Sequence, residues 1–252
     1  MKQTPRPVML LMAFLAALAP SCGASTPAAG EQVLVFAAAS LTHAFTSIAT
    51  TFEANRPEFD VQLNLAASSS LRQQILEGAP ADVFASANTS NMDQVIEAGE
   101  ASTSTTLATN VLQIAVPAGN PGGVTGLSDF ARAELLIGLC AEGVPCGDLG
   151  RQALGKAGVV AAVDTNEPDV RALLVKIEAG ELDAGIVYAT DVAATGDRVE
   201  GVDIPADVNV VATYPIAVLA NAPNPRGADA FVAFAVSDQA RAILSRHGFS
   251  LP

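Results

Sequence analysis

Short apolar segments alternate along the chain with segments in which hydrophobic residues recur every three or four positions. The first pattern predicts buried strands and the second predicts amphipathic helices. The predicted strands are 33–39, 60–65, 81–85, 111–116, 135–140, 159–163, 184–189, 208–212 and 214–219. The predicted helices are 41–54, 68–77, one around 92–96, 147–157, one that Asn166 caps and Gly180 ends, and helices between 227 and 247. This order predicts an α/β fold with largely parallel sheets, in which ligands bind at the carboxyl ends of strands.

Two strand–helix junctions share an unusual construction, because each apolar strand runs into small residues and a serine where a helix begins. The first serine is Ser40, and the second is Ser68, which follows Asn64-Leu-Ala-Ala. The first N–H groups of a helix lack partners, and the peptide dipoles make this end electropositive, so that a helix start attracts anions. Two such starts converging on one crevice would bind a small oxyanion.

The N-terminal segment has the pattern of an export signal. Lys2 and Arg6 precede an apolar run at 8–18 that is too short to span a membrane. The run ends in small residues before Cys22, which resembles a bacterial lipoprotein signal in which Cys22 becomes the lipidated N-terminus; an ordinary secretory signal cut nearby is the alternative. We expect an exported protein that a lipid anchors to the outer side of the cell membrane, through a flexible tether at 23–30.

The chain is acidic, with 13 Lys and Arg against 26 Asp and Glu, and its formal net charge is −13. Removal of the signal with Lys2 and Arg6 makes the charge of the mature chain −15. An acidic surface argues against nucleic acid and against polybasic contact with membranes. Any bound anion is therefore held by local dipoles and not by the overall field.

Two cysteines remain if Cys22 carries a lipid. The spacing of Cys140 and Cys146 allows a disulfide that closes a short loop in an oxidising compartment, and two free thiols are the alternative. A redox site of the thioredoxin kind is disfavoured, because the spacing is not C-x-x-C.

The sequence gives little support to catalysis. His43 follows Ser40 by three residues, but it lies on the helix that Ser40 opens, and no G-x-S-x-G segment occurs. We expect Asp82, Asp169 and Asp191 to be caps or surface groups rather than acid–base pairs. The sequence also has no zinc, P-loop or dinucleotide-binding motif.

Six segments carry a resemblance to a known family. They are Val35-Phe-Ala-Ala-Ala-Ser-Leu41, Ser68-Ser-Ser-Leu71, Gly78-Ala-Pro-Ala-Asp-Val-Phe-Ala-Ser-Ala87, Val144-Pro-Cys-Gly147, Asp169-Val-Arg171 and Gly185-Ile-Val-Tyr-Ala-Thr-Asp191. In order and spacing, from about Val33 to Leu251, they resemble the molybdate-binding proteins of bacterial ABC importers. The Gly-Ala-Pro-Ala-Asp-Val-Phe block is the most recognisable of them.

The resemblance implies a two-lobed periplasmic-binding-protein fold of type II, in which each lobe is a mostly parallel sheet flanked by helices and the ligand lies in the cleft between lobes. The expected division is a signal and tether at 1–32, a first lobe at 33–113 plus 215–252, and a second lobe at 114–214. The implied function is capture of molybdate, and also of tungstate, for delivery to the membrane permease of an ABC importer. We expect a monomer with no enzymatic activity and no cofactor.

The ligand contacts of the family fall on five positions of this chain. The matched residues are Ser40, Ser68, Cys146, Val170 and Tyr188. The serines and the tyrosine match hydroxyl donors, and the other two residues match donors of main-chain N–H groups. Ser69 is the alternative to Ser68 if the register slips by one residue. The pair of Cys140 with Cys146 is the main departure from the family's pattern.

A set of neutral donors suits molybdate, because all oxygens of this dianion accept hydrogen bonds at neutral pH. Protonated phosphate needs an acceptor and is disfavoured, whereas sulfate has the same charge and shape and must be rejected by cavity size. Two alternatives therefore stay open. One is a binding protein for another tetrahedral oxyanion such as sulfate, and the other is an exported serine or thiol hydrolase that uses Ser40 or Cys146.

Overall fold

The computed structural model describes Met1 and residues 30–252, and these residues form nine strands and eight α-helices. The strands are β1 (Glu31–Ala38), β2 (Phe59–Ala66), β3 (Val83–Ala85), β4 (Thr105–Pro117), β5 (Ile137–Cys140), β6 (Val163–Glu167), β7 (Ala184–Tyr188), β8 (Val199–Asp203) and β9 (Val211–Val218). The helices are α1 (Thr42–Asn55), α2 (Ser68–Leu76), α3 (Thr89–Glu97), α4 (Pro145–Lys156), α5 (Val170–Glu178), α6 (Ala189–Ala193), α7 (Pro225–Ala235) and α8 (Asp238–Arg246). None of these helices has the length and hydrophobicity needed to cross a bilayer. The expected export signal and the lipid-attachment residue Cys22 lie outside the described residues.

The strands follow the order β2-β1-β3-β9-β4-β7-β5-β6, and β8 also pairs with β4. Pairing is parallel among the outer strands, where β1 lies between β2 and β3, and β5 lies between β6 and β7. Pairing is antiparallel wherever β4 or β9 takes part. The predicted α/β fold is thus confirmed, and the parallel pairs flank an antiparallel centre.

Strand β4 passes between two lobes. Its first part pairs with β9, from Thr105 opposite Ile216 to Val111 opposite Val211. From Leu112 onward it pairs instead with β7 and β8. Because β4 and β9 run in opposite directions, they carry the chain out of the first lobe and back into it.

Burial explains why the strands differ in composition. Strands β5 and β7 are buried at every position, as expected for apolar strands that helices cover on both faces. In the first lobe, Phe45 and Phe52 of α1 pack against Phe231 of α7, and the rings of Phe52 and Phe231 meet edge to face at 5.4 Å. This packing fixes α1 on the sheet and so fixes the position of its first turn.

The segment before α5 differs from the sequence prediction. Strand β6 spans Val163–Glu167 rather than 159–163, and the residue that caps α5 is Asp169 rather than Asn166. Strand β6 lies at the edge of the sheet, and its alternating exposure makes it less apolar than the preceding run. The apolar run was therefore misassigned, because an edge strand needs only one buried face.

Other boundaries also differ from the prediction. Helix α4 begins at Pro145, two residues before the predicted start, and β9 is one strand where two are predicted. Strand β8 and helix α6 have no counterpart among the predicted elements. The region after 227 contains two helices, because the Ser237 side chain accepts the N–H of Ala240 and starts α8.

Candidate functional site

The two serine junctions lie side by side in the structure. Strands β1 and β2 pair in parallel, with Ala38 opposite Ala66, so the chain leaves both strands at the same edge of the sheet. Ser40 lies in a short 3-10 turn that leads into α1, and Ser68 is the first residue of α2. Both helix starts therefore bring N–H groups without helical partners to one region.

Both serine hydroxyls are buried, and both have a partner within the protein. Ser68 is 1% exposed, and its Oγ accepts the N–H of Ala87 at 3.0 Å. Ser40 is 8% exposed, and its Oγ lies 3.1 Å from Tyr214 Oη. Because the bond from Ala87 uses a lone pair of Ser68, the hydroxyl proton of Ser68 is left for another acceptor.

The start of α4 supplies a main-chain donor from the second lobe. Pro145 is the first residue of α4 and has no N–H group, so the N–H of Cys146 is the first one the helix offers. The next two amides, of Gly147 and Asp148, both donate to Val144 O at 2.9 Å. Among the first amides of α4, the N–H of Cys146 thus has no acceptor within the helix.

A disulfide joins Cys146 to Cys140, the last residue of β5, and the two Cα atoms are 5.7 Å apart. The loop between them is tight, because a Cβ on Gly147 would overlap the main-chain oxygens of Cys140 and Ala141. The bridge and the glycine together place the first turn of α4 against the end of β5.

The start of α5 supplies a second main-chain donor. The Asp169 carboxylate caps the helix by accepting the N–H groups of Arg171 and Ala172 at 2.8 and 2.9 Å. This cap leaves out the N–H of Val170, the first residue of the helix. The valine side chain itself is 3% exposed and packs in the core.

Tyr188 ends β7 and is 1% exposed. Its Oη is buried and makes no hydrogen bond of normal geometry among the described residues, although the Tyr214 hydroxyl lies near it. Burial raises the pKa of Tyr188 well above its ordinary value, so the hydroxyl keeps its proton at neutral pH. A buried donor without a partner is costly, so an ordered water or a bound group is expected to accept this proton.

Asp191 fixes the turn that follows Tyr188. Its carboxylate accepts the N–H of Tyr188 at 3.2 Å, and the residue is 3% exposed. Burial raises the pKa of Asp191 to about 7, although the hydrogen bond from Tyr188 and the charge of Arg171 act in the opposite direction. This carboxyl group therefore changes its charge near neutral pH, three residues from the unpaired hydroxyl.

These donors line one small cavity. The lining residues are Ala38, Ala39, Ser40, Ala67, Ser68, Ala87, Val144, Pro145, Cys146, Asp169, Val170 and Tyr188. The small side chains let main-chain N–H groups approach the space. Asp169 alone is charged in this set, and its carboxylate is engaged in the helix cap. The space holds little more than one water-sized group, so it suits only a small ligand.

All five residues matched by sequence line this cavity, three from the second lobe and two from the first. Ser69 does not, because it lines a neighbouring polar cleft with Arg72 and Glu142. His43 lies exposed on α1, outside the lining of the cavity. Contact of the five residues with a ligand stays a prediction.

Sequence reasoning missed the residues that support the site from behind. Ala87 lies in the most recognisable sequence block, but nothing in that block shows that its N–H meets Ser68. Tyr214 and Asn110 are both buried; Tyr214 contacts Ser40, and Asn110 donates to Thr190 Oγ1 at 2.8 Å. These contacts join residues that are far apart in sequence, so no local sequence pattern predicts them.

A family model described as bacterial extracellular solute-binding protein matches residues 33–250. The chain belongs to this family. The solute-binding protein is 38% identical over 252 residues to the molybdate-binding protein ModA of Mycobacterium tuberculosis strain H37Rv, and the match covers 96% of this chain and 97% of the relative. The resemblance inferred from the six sequence segments is confirmed.

Solved structures show the same fold. The solute-binding protein is similar to the periplasmic molybdate-binding protein of Azotobacter vinelandii, with a TM-score of 0.77 at 20% identity over 87% of this chain and 99% of that one. It is equally similar to the sulfate-binding protein SubI from Mycobacterium tuberculosis, with a TM-score of 0.77 at 19% identity over 87% and 86%. At these identities the likeness establishes the two-lobed fold only. The ligand has to be inferred from the residues that line the cavity.

Proposed function

We propose that this solute-binding protein captures molybdate, and also tungstate, in the cavity between its lobes and delivers it to an ABC importer. The observation that carries the proposal is the Tyr188 hydroxyl, which is buried, protonated and without a partner at a cavity otherwise lined by serine hydroxyls and helix starts. Membership of a solute-binding family supports a binding role in transport rather than catalysis.

The donor set fits a fully deprotonated tetrahedral dianion. Ser40, Ser68 and Tyr188 offer hydroxyl protons, and Cys146 and Val170 offer main-chain N–H groups at electropositive helix starts. Hydrogen bonds to a charged partner contribute roughly 1.5–3 kcal/mol each, so several of them offset the loss of the anion's hydration. Phosphate that carries a proton needs an acceptor, and the only carboxylate in the lining is that of Asp169, one oxygen of which the helix cap occupies.

The relatives support molybdate over sulfate. The curated relative with 38% identity across nearly the whole chain is named for molybdate, whereas the similarity to a sulfate-binding protein is one of fold. Sulfate has the same charge and shape as molybdate but is smaller, so the distances between opposing donors decide between the two. A sulfate-binding protein is the outcome that the experiment below must exclude.

Closure of the two lobes is the proposed transport signal. We assign 33–113 plus 215–252 to the first lobe and 114–214 to the second. The change of partner in β4 after Val111 supports a boundary there, within a few residues. Ligand contacts from both lobes would hold them together and present a closed shape to the permease. The protein acts as a monomer held at the membrane by a lipid on Cys22.

Calorimetry and thermal unfolding of the mature chain test the proposal. Molybdate and tungstate should raise the melting temperature strongly, because a ligand at a hundred times its Kd stabilises the folded state by about 2.7 kcal/mol. Sulfate and phosphate at the same concentrations should have little effect. The matched control is Tyr188→Phe, which keeps the ring and removes the unpaired donor. An equal response to sulfate would contradict the assignment to molybdate.

A further inference from the structure

We propose that Tyr214 is a positioning residue that turns the hydroxyl proton of Ser40 toward the bound oxyanion. The inference rests on the proposed function, since it requires an anion in the cavity. Tyr214 lies in β9, is fully buried and does not line the cavity. Its Oη is 3.1 Å from Ser40 Oγ, a contact between residues 174 positions apart.

The direction of this hydrogen bond follows from the ligand. A serine hydroxyl has one proton to donate and lone pairs with which to accept. An anion oxygen only accepts, so Ser40 strengthens binding when its proton points at the ligand. Tyr214 must then donate and Ser40 Oγ must accept. In the reverse arrangement Ser40 would donate to Tyr214 and turn its lone pairs toward the anion, which would weaken binding.

Ser68 shows the same arrangement with a main-chain donor. The N–H of Ala87 can only donate, so Ser68 Oγ accepts it and the hydroxyl proton stays available. Within residues 30–252, no backbone amide donates to Ser40 Oγ, whose buried partner is the phenol of Tyr214. The two serines become equivalent donors when Tyr214 donates.

The surroundings of Tyr214 keep its hydroxyl in place. Its ring meets Tyr188 edge to face at 5.9 Å and Phe249 at 5.3 Å, so both sides of the ring are packed. Burial raises the pKa of Tyr214 far above its ordinary value, although contacts of its hydroxyl with Ser40, Asn110 and Tyr188 act in the opposite direction, so the group keeps its proton at any physiological pH. A fixed and protonated donor orients its partner without contact with the ligand.

The test is Tyr214→Phe, which keeps the packed ring and removes the donor. Titration with molybdate by calorimetry should show about three- to tenfold weaker binding. Tyr214→Phe should have no further effect in a Ser40→Ala background, because no serine proton remains to be oriented. The matched control is a Ser68→Ala background, in which Tyr214→Phe should keep its full effect.

Two results would overturn the inference. One is unchanged affinity of Tyr214→Phe, and the other is an undiminished loss in the Ser40→Ala background, which indicates a general structural role. The wild-type titration separates this inference from the proposed function. A wild-type protein that binds none of the four oxyanions refutes the function, whereas a wild-type protein that binds molybdate beside a silent Tyr214→Phe refutes only the role of Tyr214.

Discussion

The two lobes build their halves of the cavity wall in different ways. The first lobe presents the side-chain hydroxyls of Ser40 and Ser68, whose oxygens contact Tyr214 Oη and the N–H of Ala87. The second lobe presents main-chain amides at the starts of α4 and α5, together with one tyrosine hydroxyl. In the first half the residue type decides the chemistry. In the second half the candidate donors are main-chain N–H groups. Cys146 and Val170 can therefore occupy these positions although their side chains are not expected to bind anions.

The largest expected effect concerns Asp191, whose carboxylate accepts the N–H of Tyr188 in the second-lobe half of the cavity wall. Burial raises the pKa of Asp191 from 3.8 to about 7 in the folded chain. Between these values the unfolded chain releases the proton and the folded chain retains it, so stability falls as the pH rises from about 4 and levels off above 7. A difference of about 3 pKa units corresponds to roughly 4 kcal/mol.

Urea unfolding of the wild type and of Asp191→Asn at a series of pH values measures this loss. The amide of the variant does not titrate, so the wild type should lose stability relative to the variant as the pH rises from 5 to 8. Parallel curves for the two proteins would show that the Asp191 carboxyl has an ordinary pKa in the folded state.

The next effect tests the hydroxyl donors in both lobes. Ser40→Ala and Tyr188→Phe each remove one hydroxyl that we propose donates to the anion, and they leave the backbone unchanged. We expect each change to weaken molybdate binding by about 1–3 kcal/mol, which is roughly a five- to hundredfold rise in Kd by calorimetry. If both variants bind as the wild type does, the ligand lies elsewhere.

A smaller effect is expected from the disulfide. Under native oxidising conditions, mass spectrometry should show that Cys140 and Cys146 resist alkylation until they are reduced. Cys146→Ala breaks the bridge but keeps the main-chain N–H, so affinity should fall only about two- to fivefold as the loop loses its preorganisation. Full alkylation before reduction would refute the bridge, and complete loss of binding in Cys146→Ala would show that the sulfur itself is required.

The smallest effects come from residues whose side chains have no assigned contact with the ligand. Val170→Ala removes buried apolar atoms, so the melting temperature should drop while the affinity for molybdate stays within about twofold of the wild type. His43→Ala changes an exposed side chain and should alter neither property. Loss of binding in His43→Ala beside silent hydroxyl variants would refute the assignment of the cavity.

Sequence reasoning reached five residues that line the cavity because most of their signals are local. A strand that ends in small residues and a serine announces a helix start, as at Ser40 and Ser68, and the family resemblance extended this to Cys146, Val170 and Tyr188. The same reasoning erred at β6, where an exposed edge strand is less apolar than the loop before it. Apolar content indicates how buried a segment is. An edge strand is exposed on one face, so apolar content does not locate it reliably.

The supporting residues were beyond the reach of the sequence. Tyr214 and Ser40 meet only after β9 has crossed back into the first lobe. Asn110 lies on β4, the other crossing strand, and donates to Thr190. The burial that raises the pKa of Asp191 comes from several elements packed together. Such contacts depend on how distant segments come together, and no spacing of residue types along the chain encodes them.

The bridge between Cys140 and Cys146 has a practical consequence for work on this protein. A ring this short restricts the unfolded chain by only about 2 kcal/mol, so its loss leaves a folded molecule that passes ordinary checks of quality. Protein made in a reducing bacterial cytosol would carry two thiols beside the cavity, whereas protein recovered after secretion would carry the bond. Affinities from the two preparations would then describe different molecules, and the thiol content belongs beside every reported constant.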